Sequence, residues 1–176
     1  MPLLVETLIE EARWRDFGIE GLAESAARAT LSALGMRPED WQIGLLACND
    51  ARIAVLNADF RDKASATNVL SWPSDERGAG QDGAMPAIPD PSEGRAAIAQ
   101  DPELGDIAIA YETCMKEAAQ QQKTAQAHVT HLLVHGVLHL LGYDHIRDRD
   151  ADLMEKQEVE ILASLGVADP YVRRGA

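Results

Sequence analysis

Apolar residues recur along the chain in two periods, and the breaks between them mark the ends of the predicted elements. Between Glu20 and Leu34 the residues Leu22, Ala26, Ala29 and Ala33 fall at helical spacing and Gly35 follows as a stop, which predicts a structural helix. Trp41 to Cys48 is a short apolar run suited to a strand. Asn49 or Asp50 then offers a side-chain oxygen to the free amides of a first turn, so a helix is expected through about Phe60, with Ile53, Leu56 and Phe60 as its buried stripe. Thr67 to Trp72 reads as a strand that Pro73 ends, with Thr67, Val69 and Ser71 on one face and Asn68, Leu70 and Trp72 on the other. Gly105 to Tyr111 is a further strand with Ile107, Ile109 and Tyr111 facing one way. Helices follow from Glu112 to Gln122, from about Ala125 to Leu141, and from Asp148 to Leu165, the last with Leu153, Ile161 and Leu165 packed inward and Gly166 closing it. Leu3 to Trp14 mixes apolar and acidic residues without a clean period and fits either an edge strand or a short helix.

Two stretches carry no hydrophobic period. From Ser74 to about Asp101 the chain is rich in Gly, Pro, Ala and charge, which predicts a long mobile loop, and residues 167–176 read as a flexible tail. Residues 1–166 are therefore expected to form a single domain, since 176 residues suffice for one real core and no repeat or heptad array is visible.

Composition narrows the setting. No apolar run reaches the length of a membrane span, and Met1 to Trp14 carries glutamates where a signal peptide would carry Lys or Arg, so the expected location is the cytoplasm, without a membrane partner. Cys48 and Cys114 are too few for a disulfide framework and lack metal-ligand spacing, which leaves buried reduced thiols. With 29 acidic against 16 basic residues the formal charge is -13, which opposes non-specific affinity for nucleic acid. A polyanionic substrate must therefore meet a local positive site.

The chemistry concentrates in His135-Gly-Val-Leu-His139-Leu-Leu-Gly142-Tyr-Asp-His145, which holds three of the five histidines. On a helix His135 and His139 share one face with a rise of roughly 6 Å between them. Gly142 falls where the helix would end, free to adopt the left-handed conformation that lets the chain turn back and bring His145 to the same ion. Three imidazole donors suit zinc and leave a fourth tetrahedral position open, as in catalytic sites. Zinc lowers the pKa of bound water to about 7, so the chemistry predicted is hydrolysis. His128 and His131 lie upstream on the same general side, where a core or supporting role is expected because the ligand set is already filled. Asp144 is the nearest carboxylate, a candidate general base, orienting group or turn residue. Arg61 ends its helix, where a cation complements the helix dipole, and spacing alone weighs that role equally with a functional one.

With the histidine stretch, Leu56-Asn57 through Arg61, Thr67-Asn-Val-Leu-Ser-Trp-Pro73 and Gly105-Asp-Ile107 standing in this order, the chain resembles the YbeY family of bacterial endoribonucleases over most of its length. The resemblance implies an α+β fold, a small mixed four-stranded sheet flanked by about five helices, with the zinc site on a central helix. It implies a zinc-dependent, single-strand-directed ribonuclease acting in 16S rRNA 3′-end maturation and ribosome quality control. The implied partners are an rRNA precursor and the proteins and assembly factors of the small ribosomal subunit, with no role for DNA. Carried over residue by residue, the ligands of one zinc ion fall on His135, His139 and His145, and the catalytic roles on Arg61 and on His135 as ligand. A guanidinium near the zinc would hold the scissile phosphate by paired hydrogen bonds and oppose the charge of the transition state. Two departures stand out: Trp72 replaces the family's usual Phe, and the loop after Pro73 is longer and more polar, read here as solvated chain rather than a substrate-contacting insertion. Two rival readings remain in play. A zinc peptidase would carry a glutamate after the first histidine, where this chain has Gly136, and a non-cleaving ribosome-assembly factor would use the zinc structurally.

Overall fold

The computed structural model describes residues 3–61, 65–92 and 102–171, with the side chains of Phe60 and Arg61 outside the described part. In chain order the elements are β1 (Val5–Ile9), α1 (Arg13–Phe17), α2 (Ile19–Ala33), β2 (Gln42–Cys48), α3 (Asp50–Arg61), β3 (Val69–Pro73), β4 (Glu103–Ala110), α4 (Tyr111–Gln120), α5 (Ala125–Leu140) and α6 (Asp148–Ser164). The strands form one sheet in the order β1-β2-β4-β3. β1 and β4 run parallel to β2, and β3 runs antiparallel to β4, which makes the sheet mixed, as the resemblance implied.

The five expected helices all form, and the segment from Leu3 to Trp14 turns out to hold both of its alternatives, an edge strand followed by the start of a sixth helix. Helix α1 is only five residues long and is anchored through Trp14 rather than marked by a period. Its Trp14 is fully buried, donates its indole N–H to the Cys48 carbonyl at 2.8 Å, and meets Phe17 and Tyr111 edge-on. β4 ends one residue earlier than its alternation predicts, because Tyr111 opens α4. Being central and covered on both faces, β4 buries neighbouring residues alike, so a period of two does not mark its end.

The two faces of the sheet are covered unequally. Ile43, Leu45 and Ala47 of β2 and Ile107 and Ile109 of β4 join the main core with residues of α2, α5 and α6. On the opposite face Cys48, Leu70, Ala108 and Ala110 pack with Ile53 of α3 in a smaller cluster. Helix α5 comes unusually near the strands at Gly136, where an added Cβ would lie 3.2 Å from the Ile107 side chain. Among the described residues no helix is long and apolar enough to cross a membrane.

Candidate metal centre

Helix α5 begins at Thr124, whose hydroxyl accepts the Ala127 N–H at 3.1 Å and so satisfies one of the free donors of the first turn. Val129, Leu133, Val134, Val137, Leu138 and Leu140 bury the helix on most sides, which leaves the histidines on the remaining strip. The helix stops as its glycine predicts. Gly142 has φ +98°, its N–H bonds to His139 O at 3.0 Å, and the Tyr143 N–H bonds to Leu138 O at 3.0 Å. This paired closure reverses the chain and carries His145 back over the helix end.

The three rings converge. Their centroids are 4.5 Å apart for His135 and His139, 5.4 Å for His135 and His145, and 5.1 Å for His139 and His145. One donor nitrogen from each lies within 4.8 Å of the others, a set that could hold a metal ion. His135 Nε2 and His139 Nε2 face each other at 3.0 Å, close to the roughly 3.3 Å that separates neighbouring nitrogens around tetrahedral zinc with bonds of 2.0–2.1 Å. Burial, reinforced by the neighbouring His135 and His145, lowers the His139 pKa to about 4, so its ring is neutral at pH 7 and its lone pair is free to ligate. The residues present therefore fit the ion. The His145 side chain is 54% exposed, so the triad opens to solvent on that side.

Behind the triad stands a residue the sequence reading passed over. Glu158 of α6 is completely buried, with Oε1 2.5 Å from His135 Nδ1 and Oε2 2.9 Å from His131 Nε2. The Tyr171 hydroxyl donates to the same Oε2. Burial by itself would raise the carboxyl pKa, but hydrogen bonds from His131, His135 and Tyr171 outweigh it and bring it down to about 2. The signal was present in the chain: Met154, Glu158, Ile161 and Leu162 are the buried residues of α6, so a carboxylate occupies an apolar position of the stripe. His131 thus reaches the triad through Glu158, and His131, His135 and Glu158 themselves bring three donors within 4.8 Å of one another, a second set that could hold a metal ion. His128 is buried with Nε2 3.0 Å from Glu117 Oε1, apart from the triad. Asp144 lies in the turn, its Oδ1 accepting the His145 N–H at 2.7 Å and standing 3.9 Å from His145 Nδ1. The Arg61 backbone closes α3, while its side chain lies outside the described residues.

The first part of the loop after Pro73 frames the turn that bears His145. The buried Arg77 guanidinium donates to Leu104 O and Leu140 O, both at 2.9 Å, and to Ser74 Oγ at 2.8 Å. Arg147 donates to Ala79 O at 2.8 Å and Gly80 O at 3.0 Å, and Asp150 accepts the Gly83 N–H at 2.8 Å while its own N–H meets Asp82 Oδ1 at 3.0 Å. Between loop and turn lies a cleft of about 310 Å³ lined in part by Gly78, Pro86, Tyr143, Ile146 and Leu153. A larger cavity of about 960 Å³ lies towards the other end of α5, with His131 and Asp169, which bond to Glu158 and to Tyr171 respectively, in its wall.

Sheet and donor set together define the class: an α+β protein with a histidine triad, at the end of a buried helix, able to hold a metal ion. The profile of the family described as Endoribonuclease YbeY matches residues 6–166. The endoribonuclease YbeY of Cereibacter sphaeroides is 55% identical over 171 residues, covering 97% of this chain and 100% of that protein. That of Ruegeria sp. strain TM1040 is 52% identical over 170 residues, covering 97% of each. The chain belongs to the YbeY endoribonuclease family. The solution structure of TM1509 from Thermotoga maritima aligns with a TM-score of 0.53 at 19% identity, over 96% of this chain and 99% of that one, which shows a shared fold.

Proposed function

We propose that this chain is a zinc-dependent endoribonuclease that cuts single-stranded RNA, with a 16S rRNA precursor as its substrate in 3′-end maturation and ribosome quality control in the cytoplasm. Family membership supports the endoribonuclease activity, and the observation that carries the metal dependence is the convergence of His135, His139 and His145 within 4.8 Å on the open side of α5. A zinc ion held by these three residues would supply Lewis acidity at the phosphodiester and activate water at neutral pH. The chain's own part is to keep His139 neutral by burial and to aim the His135 ring. The family resemblance assigns Arg61 to the scissile phosphate, and the assignment suits a protein of net charge -13 that needs a cation where its polyanionic substrate reacts, since a guanidinium bonds phosphate through two parallel donors. Small-subunit proteins and assembly factors are the partners this role requires.

The peptidase reading loses support at Gly136. That position faces Ile107 of the sheet, so a glutamate there would run into the core instead of reaching the triad. Metal analysis combined with cleavage of a single-stranded RNA by wild type, His139→Ala and Arg61→Glu tests the proposal. Wild type should carry one zinc and cut, His139→Ala should lose both metal and cleavage, and Arg61→Glu should keep the metal while cleavage falls by about 10²-fold or more. Cutting retained by both variants would remove the site from the reaction, and precursor binding without cutting by wild type would turn the assignment to an assembly factor.

A further inference from the structure

We infer that Glu158 is a positioning residue for the metal site: it holds the His135 proton on Nδ1, so that the lone pair of Nε2 faces the ion, and His131 and Tyr171 lock the carboxylate that does so. The inference rests on the reading of His135, His139 and His145 as the ligand set.

The hydrogen bonds around Glu158 carry it. An ionised carboxylate only accepts, so the 2.5 Å contact between Glu158 Oε1 and His135 Nδ1 puts the ring proton on Nδ1. His135 Nε2 is then the bare nitrogen, and it is the atom that faces His139 Nε2 at 3.0 Å. Oε2 meets two further donors, His131 Nε2 at 2.9 Å and the Tyr171 hydroxyl. A carboxyl proton would be set against these donors, so the arrangement suits the anion. His131 and His135 stand one turn apart on α5, and the two oxygens of one carboxylate span that turn. Glu158 itself has no room to swing, being wholly buried beside Met154, Ile161 and Leu162 of its own helix. Tyr171 belongs to the segment after α6, so the C-terminal stretch has a part in aiming a ligand far from it in sequence. Partners of this kind fix the tautomer of a ligating histidine and raise its basicity, and their loss weakens metal binding by 10–100-fold.

The tautomer can be read without activity and without a variant. Two-bond ¹H–¹⁵N correlation spectra of the metal-free wild type should show His135 protonated on Nδ1. Glu158→Leu removes both acceptors at similar volume; it should release the proton from Nδ1 and weaken zinc affinity, measured by competition with a chromophoric chelator, by 10–100-fold. Glu158→Gln keeps one acceptor oxygen and should recover at least part of the lost affinity, a rescue that mere filling of space does not predict. A wild-type His135 protonated on Nε2, or a folded Glu158→Leu with unchanged affinity, would overturn the inference. His135→Ala and His139→Ala separate it from the reading beneath it. If they lose zinc while Glu158→Leu keeps it, only the positioning role falls; if they keep zinc, the triad is not the ligand set and both fall.

Discussion

Replacing Gly142 with alanine tests how the turn after α5 is built. The residue has φ +98°, and a Cβ there would lie 2.3 Å from Arg77 O and 2.5 Å from Arg77 C, both backbone atoms. An L-residue at positive φ costs about 1–2 kcal/mol before any contact is counted. The overlap then forces the Arg77 segment away from the helix end. Its guanidinium, with 8% of the side chain exposed, gives two charge-assisted bonds to Leu104 O and Leu140 O, and a hydrogen bond to a charged group is worth about 1.5–3 kcal/mol. Losing one of them brings the total to about 2.5–5 kcal/mol. In a chain of this size that lowers Tm by about 5–20 °C, at roughly 2–4 °C per kcal/mol. Thermal and urea unfolding of Gly142→Ala, Arg77→Ala and the double variant supply the measurement. Because the same bonds are lost in both single variants, the double variant should fall well short of their sum. A loss below about 1 kcal/mol for Gly142→Ala, or strict additivity, would refute the reasoning.

Three further outcomes are expected. Gly136→Glu should cost about 3 kcal/mol or more in denaturant unfolding, since it drives a carboxylate against Ile107, and it should confer no peptidase activity. Thr124→Ala removes the N-cap of α5 and should cost about 1 kcal/mol, read from the urea midpoint. The metal-free protein should lose stability in acid. The Glu158 carboxyl titrates near 2 when folded against an ordinary value of 4.5, so its contribution is fully present above 4.5 and is lost as pH falls from 4.5 towards 2. Glu24 acts in the same direction, because the amides of Val5 and Leu4 and the side chain of Arg28 outweigh its burial and lower its pKa. A urea midpoint that stays level between pH 5 and pH 2.5 would contradict this.

The triad was legible because its information is local. Four-residue spacing places His135 and His139 on one face, and a glycine at the helix end announces the reversal that returns His145. Glu158 was less visible, since glutamate in a helix as charged as α6 reads as solvent-facing until its place between Met154 and Ile161 is noticed. Arg77 left no pattern at all. It lies in a segment without period, and its role comes from carbonyls of β4 and α5 that only the tertiary fold brings within reach. Helix α1 could be read only as one of two alternatives for a similar reason, since its Trp14 is fixed by an indole bond to a distant strand. The mixed sheet followed from the resemblance, whereas the position of β4 at its centre depends on pairings that single strands do not encode.

The strand order imposes a schedule on synthesis. Among the described residues β3 bonds to β4 alone, and β2 is left with one bare edge until β4 arrives, Leu45 settling beside Ile107. A nascent chain that has emerged only as far as Pro73 therefore exposes two apolar strands with no partner between them, the condition in which edges capture other chains. Emergence of Glu103–Ala110 ends that exposure, and a fragment stopping short of it is expected to be recovered as aggregate rather than as a folded half.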